Sequence, residues 1–206
     1  MAVPSDETVT AAPTVADPAP LGLAGFALTT FILTAIRAGW MGGNPGDIWL
    51  GMALFYGGLA QFMAGMWEFR RNNTFGATAF TSYGAFWMGF AILLTFSTLT
   101  KAALGAANPN VAISFFLFAW MIFTAYMTVA ALRTNGAVLA VFVLLTLTYL
   151  FLWLGAMNNA GNGHGLTQIG GFLGILTAIA AWYASFAGVV NSTWGRVVFP
   201  VFPLTP

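Results

Sequence analysis

Between Thr134 and Gly195 the chain runs without one Asp, Glu, Lys or Arg. No water-soluble fold can cover a stretch of that length without charge. A helix needs about 20 apolar residues to cross a hydrocarbon core of about 30 Å. The stretch therefore holds two crossings and a turn. The turn is Asn158-Asn159-Ala160-Gly161-Asn162-Gly163-His164-Gly165, dense in turn-forming residues. The rest of the chain repeats the theme. Six apolar segments lie near 21–41, 48–69, 77–99, 111–132, 136–157 and 167–190. Only helices and closed barrels satisfy the backbone in lipid, and the alternating pattern of barrel strands is absent. The expected fold is an all-α membrane protein with six transmembrane helices per protomer. Residues 17–198 form the membrane unit, 1–16 a disordered cytoplasmic tail rich in Ala, Thr, Val and Pro, and 199–206 a short cytoplasmic tail.

Charge narrows the function. Charged residues are 5% of the chain and the net charge is +1, so there is no basic field for nucleic acid. There is no cysteine, and one histidine with five carboxylates leaves no set for a metal. No metal or other cofactor is expected. No Ser-His-Asp set, HExxH, paired catalytic acids or P-loop can be assembled, so the chain reads as no enzyme. Asp6 and Glu7 stand near the N-terminus without an early Lys or Arg. That is unlike a signal peptide, and the first apolar segment is expected to be retained. With the N-terminus inside, Arg70, Arg71, Arg133 and Arg196 are cytoplasmic and only Arg37 and Lys101 lie outside. The expectation is a multi-pass protein of the cell membrane with both termini in the cytoplasm.

All nine prolines fall outside the six segments, so the spans should lack proline kinks; Pro45 and Pro109 mark connections. Ala53, Gly57, Gln61 and Gly65 form a small-residue stripe in the second segment, and Gly170, Gly174 and Ala178 one in the last. Such stripes let helices approach closely, within a protomer or between protomers. Gln61 is the exception among small residues; its amide needs an interior partner. Asp17-Pro18-Ala19-Pro20 leads into the first helix, which is expected to start after the prolines, with Asp17 as a cap or its N-terminus as an anion site. Thr74 is the expected cap of the third helix, with Phe80, Tyr83 and Trp87 near one face. Asp17, Asp47 and Glu68 all fall at helix ends, which argues against a carboxylate proton relay in mid-membrane. Arg37 is expected to snorkel to the outer interface, with attraction of anions to a pore mouth as the alternative. His164 reads as a solvated turn residue.

Three blocks carry a resemblance to a known family. The first is Pro18-Ala19-Pro20-Leu21-Gly22-Leu23. The second runs from Phe55-Tyr56-Gly57-Gly58-Leu59-Ala60-Gln61 through Asn73-Thr74-Phe75-Gly76 to Thr81-Ser82-Tyr83-Gly84. The third is Asn158-Asn159-Ala160-Gly161-Asn162. Over about residues 17–198 the chain resembles the acetate uptake transporter family, whose members include a bacterial succinate–acetate permease. Two positions depart from its pattern: Asp17 stands where the family usually has Asn, and Asn72 where Gly is common. The resemblance implies a homo-oligomer, a hexamer in the family, with one path per protomer for small monocarboxylates. Acetate comes first, succinate follows in some members, and protons are a candidate coupled species. An apolar constriction would be formed by Phe26, Tyr83 and Leu147, the last placed by matching Phe142-Val143 through Asn162. Leu21, Gly22, Gln61, Thr81, Ser82, Asn158, Asn162 and Ala181 are the implied binding or selectivity positions. A charge-free neck with neutral donors suits an anion that must leave as readily as it enters. Asp17 would repel that anion unless it caps the first helix or is protonated. A pore for small neutral solutes, and a membrane scaffold or signalling protein without a pore, remain the alternatives on residues alone.

Overall fold

The structure is a computed structural model and describes residues 15–41, 48–95 and 109–204. Pro45, Asp47, Lys101 and residues 1–14 of the expected tail lie outside the described residues, as do residues 96–99 of the third segment. The elements are α1 (Ala19–Ala38), α2 (Trp49–Leu54), a π-helical segment (Phe55–Ala60), α3 (Gln61–Arg70), α4 (Thr74–Thr95), α5 (Pro109–Ala131), α6 (Gly136–Met157) and α7 (Gly165–Trp194). Among the described residues there is no strand, and five helices (α1, α4, α5, α6 and α7) are long and apolar enough to cross a membrane.

The second apolar segment departs from expectation. It is helical without a break from Trp49 to Arg70, yet its middle is wound as a π-helix. Such segments are rare and tend to mark functional sites. The physical setting is a close approach. A Cβ at Gly25 of α1 would overlap the Tyr56 carbonyl oxygen, and one at Gly57 would stand 2.5 Å from Thr29 Oγ1. Glycine at both positions lets α1 lie directly on the π-helical turn, so this stripe packs inside the protomer. The other stripe does the same: Gly170 faces Leu152, and Gly174 faces Thr34 and Thr148.

Helix ends also differ. α1 begins at Ala19, not beyond Pro20, because a proline in the first turn has no N–H to lose. Asp17 Oδ1 accepts the Ala19 N–H at 3.1 Å, and the same oxygen pairs with Arg71. Its charge is thus answered at the point where the sequence raised concern. Asn73, not Thr74, caps α4: its Oδ1 accepts the Gly76 N–H at 3.0 Å, and Thr74 is already helical. α1 ends at Gly39, whose φ of 81° turns the chain so that the Trp40 N–H reaches the Ala35 carbonyl at 3.0 Å.

α1 packs chiefly on α7, α7 on α6, and α6 on α5; α4 pairs with α3 and touches α5. Between α4, α5 and α6 lies an aromatic core in which the Phe86 ring contacts Phe90, Phe116, Trp120 and Tyr149. The tail after α7 folds back. Phe202 and Val201 carbonyls accept the Gly136 and Ala137 N–H groups, so the tail satisfies the open N-terminus of α6.

Candidate functional site

One face of α1 repeats Phe26, Thr30, Leu33, Thr34 and Arg37 at helical spacing. With Phe86, Trp87 and Phe90 of α4, Leu145, Thr148 and Tyr149 of α6, and Asn159, Ala160 and Thr167 near the α6–α7 turn, it encloses a cavity of about 110 Å³. A single water needs only about 10–15 Å³ on this measure. The cavity wall is mostly apolar, and its polar groups are specific. Thr34 and Thr148 donate to the backbone carbonyls of Thr30 and Leu144 at 2.7 and 2.8 Å. Thr30 Oγ1 and Trp87 Nε1 are buried and have no hydrogen-bond partner among the described residues. Both can donate a proton to a ligand oxygen. Buried donors seldom stand unpaired, so these two are unusual among the residues that line the cavity.

Arg37 closes one end. It does not simply snorkel to the interface. It lines the cavity, and its Nη1 donates to Asn162 Oδ1 at 2.8 Å. Gly39 and Gly163 meet backbone to backbone beside it, and the Gly163 N–H donates to the Arg37 carbonyl at 2.9 Å. The cavity thus has a fixed cation at one end and neutral donors on its wall.

Phe26 closes the other end, and its ring lies 5.8 Å from the Tyr83 ring. Tyr83 is 3% exposed, is ringed by Trp120, Phe123 and Phe142, and its hydroxyl hydrogen-bonds Thr124 Oγ1 at 2.8 Å. The structure brings Phe26 and Tyr83 together. It does not bring Leu147 to them: that side chain is 37% exposed and is no part of the cavity wall. α6 turns Leu145 and Tyr149 inward instead, since positions two apart on a helix face different ways.

The other implied positions scatter. Leu21 points outward, and Gly22 sits under the Phe80 ring. Ala181 is buried in the core away from the cavity wall. Ser82 is half-buried. Asn158 is exposed and donates to the Leu154 carbonyl at the end of α6, while Asn162 holds Arg37. Gln61 and Thr81 lie on the α3–α4 seam, where Gln61 Oε1 and Thr81 Oγ1 are buried without a partner among the described residues. The sequence reading missed Thr30, Tyr149 and the role of Trp87. A helical wheel of the first segment would have shown Phe26, Thr30, Thr34 and Arg37 on one face. Nothing comparable points to Tyr149.

A family model matches residues 3–206 and is described as the GPR1/FUN34/yaaH family. The chain belongs to that family. Acetate permease A of Emericella nidulans is 42% identical over 202 residues, covering 93% of this chain and 68% of the permease. The ammonia transport outward protein 2 of Saccharomyces cerevisiae is 39% identical, covering 92% of this chain and 67% of its own. The succinate-acetate/proton symporter SatP of Escherichia coli K12 is 38% identical over 187 residues, covering 91% of this chain and 95% of the symporter. The chain thus spans about two thirds of the fungal members' length and nearly all of the bacterial one. The solved structure of the bacterial acetate channel SatP superposes with a TM-score of 0.81 at 34% identity, over 91% of this chain and 99% of that one.

Proposed function

We propose that this protein carries small monocarboxylates, acetate first and succinate among larger candidates, across the cell membrane. The observation that carries the reading is the cavity: an apolar chamber lined by Trp87 and Thr30, whose buried donors have no partner among the described residues, with Arg37 at one end. An acetate ion has an apolar methyl and two acceptor oxygens, and the chamber offers a surface for each. Arg37 is already bound to Asn162, so it can draw an anion without trapping it. Phe26 and Tyr83 form the neck beyond the chamber, and Leu145 and Tyr149 take the place on α6 that the resemblance gave to Leu147. The similarity to a protein named an acetate channel and to one named a succinate-acetate/proton symporter supports the same substrates, with protons as a partner in transport.

The wider architecture belongs to this reading. The continuous helical stretch from Trp49 to Arg70 is the sixth crossing, and both termini are cytoplasmic. Residues 17–198 are the membrane unit, and protomers assemble as a homo-oligomer, a hexamer by the family resemblance. The protein is a transporter and no enzyme. Uptake of labelled acetate into liposomes holding the purified protein tests the reading. Uptake equal to that of empty liposomes would refute it. One relative is named for ammonia transport, so a neutral-solute path is the second reading. A parallel ammonia assay separates the two.

A further inference from the structure

The corner between α3 and α4 holds a group that the transport path does not use. Glu68 sits in the last turn of α3 and is 0% exposed. Its Oε2 accepts a hydrogen bond from Asn73 Nδ2 at 2.9 Å. Its Oε1 is buried and has no partner among the described residues. The pocket around it is built. A Cβ on Gly76 would stand 2.9 Å from Oε1 and 2.8 Å from the carboxyl carbon. Only glycine there leaves the carboxyl its room.

The surroundings oppose one another. Burial with one oxygen unpaired favours the neutral acid. The Asn73 bond and the nearby N-terminus of α4 favour the anion. The other charges are few. Asp17 and Arg71 are paired with each other next to the corner. Arg70 is exposed on α3 itself. α4 has no Asp, Glu, Lys, Arg or His, and its Tyr83 is engaged with Thr124. The only charge on α1 is Arg37, at its far end, and the π-helical segment offers only Tyr56. Among the described residues the cation that bears on Glu68 is Arg71, and Asp17 shares it.

We propose that Glu68 is a proton-binding switch of the transporter, and that Asn73 passes its charge state to the start of α4. Asn73 is exposed, so the proton comes from, and returns to, the water on its side. Carboxylate plus proton gives carboxylic acid; no other bond changes. The same Asn73 amide carries both contacts: Nδ2 donates to Glu68, and Oδ1 caps α4 through the Gly76 N–H. A charge-assisted hydrogen bond is roughly twice as strong as a neutral one. Neutralising Glu68 loosens Asn73 and with it the first turn of α4, the helix that carries Tyr83. This inference rests on the transport reading for its consequence, but proton binding can be measured without it.

Glu7 and Glu68 are the only glutamates. In a Glu7→Gln chain labelled with carboxyl-13C glutamate, the infrared carboxyl bands report Glu68 alone. We expect the acid band to give way to the carboxylate band as pH rises over the range in which the protein stays folded. A band that stays wholly acid or wholly carboxylate across that range overturns the proposal. In liposomes, the ratio of Glu68→Gln to wild-type acetate flux cancels the acid's own ionisation. That ratio should change with pH, because the variant keeps one state while the wild type switches; a ratio constant with pH also overturns the proposal. Wild-type liposomes that take up no acetate, with the band still titrating, would refute the transport reading and leave the proton site standing.

Discussion

Replacing Tyr83 by Ala tests the neck directly. The ring is almost wholly buried, lies against Phe26, Trp120, Phe123 and Phe142, and its hydroxyl is bound to Thr124. Removing a buried aromatic side chain costs about 3–5 kcal/mol in soluble proteins. Within lipid the unpacked helices still face apolar surroundings, so the transfer part shrinks and the cavity and ring-contact parts remain. The expected loss is therefore near the lower end, about 3 kcal/mol. The hydroxyl is a small share. Thr124 keeps its bond to the Trp120 carbonyl at 2.7 Å, so Tyr83→Phe should cost only about 0.5–1.5 kcal/mol. Unfolding in detergent, monitored by loss of helical circular dichroism, gives both values. The functional result follows from the void behind Phe26: flux of lactate relative to acetate should rise in Tyr83→Ala and stay unchanged in Tyr83→Phe. A protein destabilised by the full amount with unchanged selectivity would show that Tyr83 is packing and no neck.

Other changes have equally definite outcomes. A Cβ at Gly84 would stand 2.6 Å from the Phe62 backbone nitrogen, where packed atoms need about 3.5–4.0 Å; Gly84→Ala must part α3 and α4, costing about 1–3 kcal/mol or more, read from yield and thermal unfolding. Leu145→Val should alter size selectivity, while Leu147→Val should not, because only Leu145 lines the cavity; a larger effect at 147, measured in the same lactate-to-acetate assay, would restore the family-based assignment. Arg37→Gln should slow uptake most at low acetate and low salt, since salt weakens the long-range pull of this half-buried cation on an approaching anion; an effect independent of salt contradicts that role. Cysteines placed at Thr8 and Thr205 should resist an impermeant thiol reagent in intact cells, and labelling of either from outside would overturn the orientation.

The sequence by itself determined that the chain lives in lipid. The charge-free run from Asn135 to Trp194 admits nothing else, and apolar length alone set five of the helices to within a few residues. It also decided the family, because blocks such as Pro18–Leu23 and Thr81–Gly84 are specific as strings. Tight helix contact was legible too, since glycine and alanine at four-residue spacing leave only one physical use. What it could not decide was rotation. A membrane helix is apolar on every side, so periodicity does not tell an inward residue from a lipid-facing one. Leu147 and Leu145 look alike in the sequence, and only the packing of α6 against α7 and α5 turns one outward and the other into the cavity. Backbone irregularity was hidden for a related reason. The π-helical turn at Phe55–Ala60 lies where α1 comes closest through Gly25, a contact between segments far apart in the chain. Glu68 sits near a helix end by sequence, and nothing in that position tells whether it is buried. It is buried because α4 turns back over it at Asn73 and Gly76, and that decision belongs to tertiary structure alone.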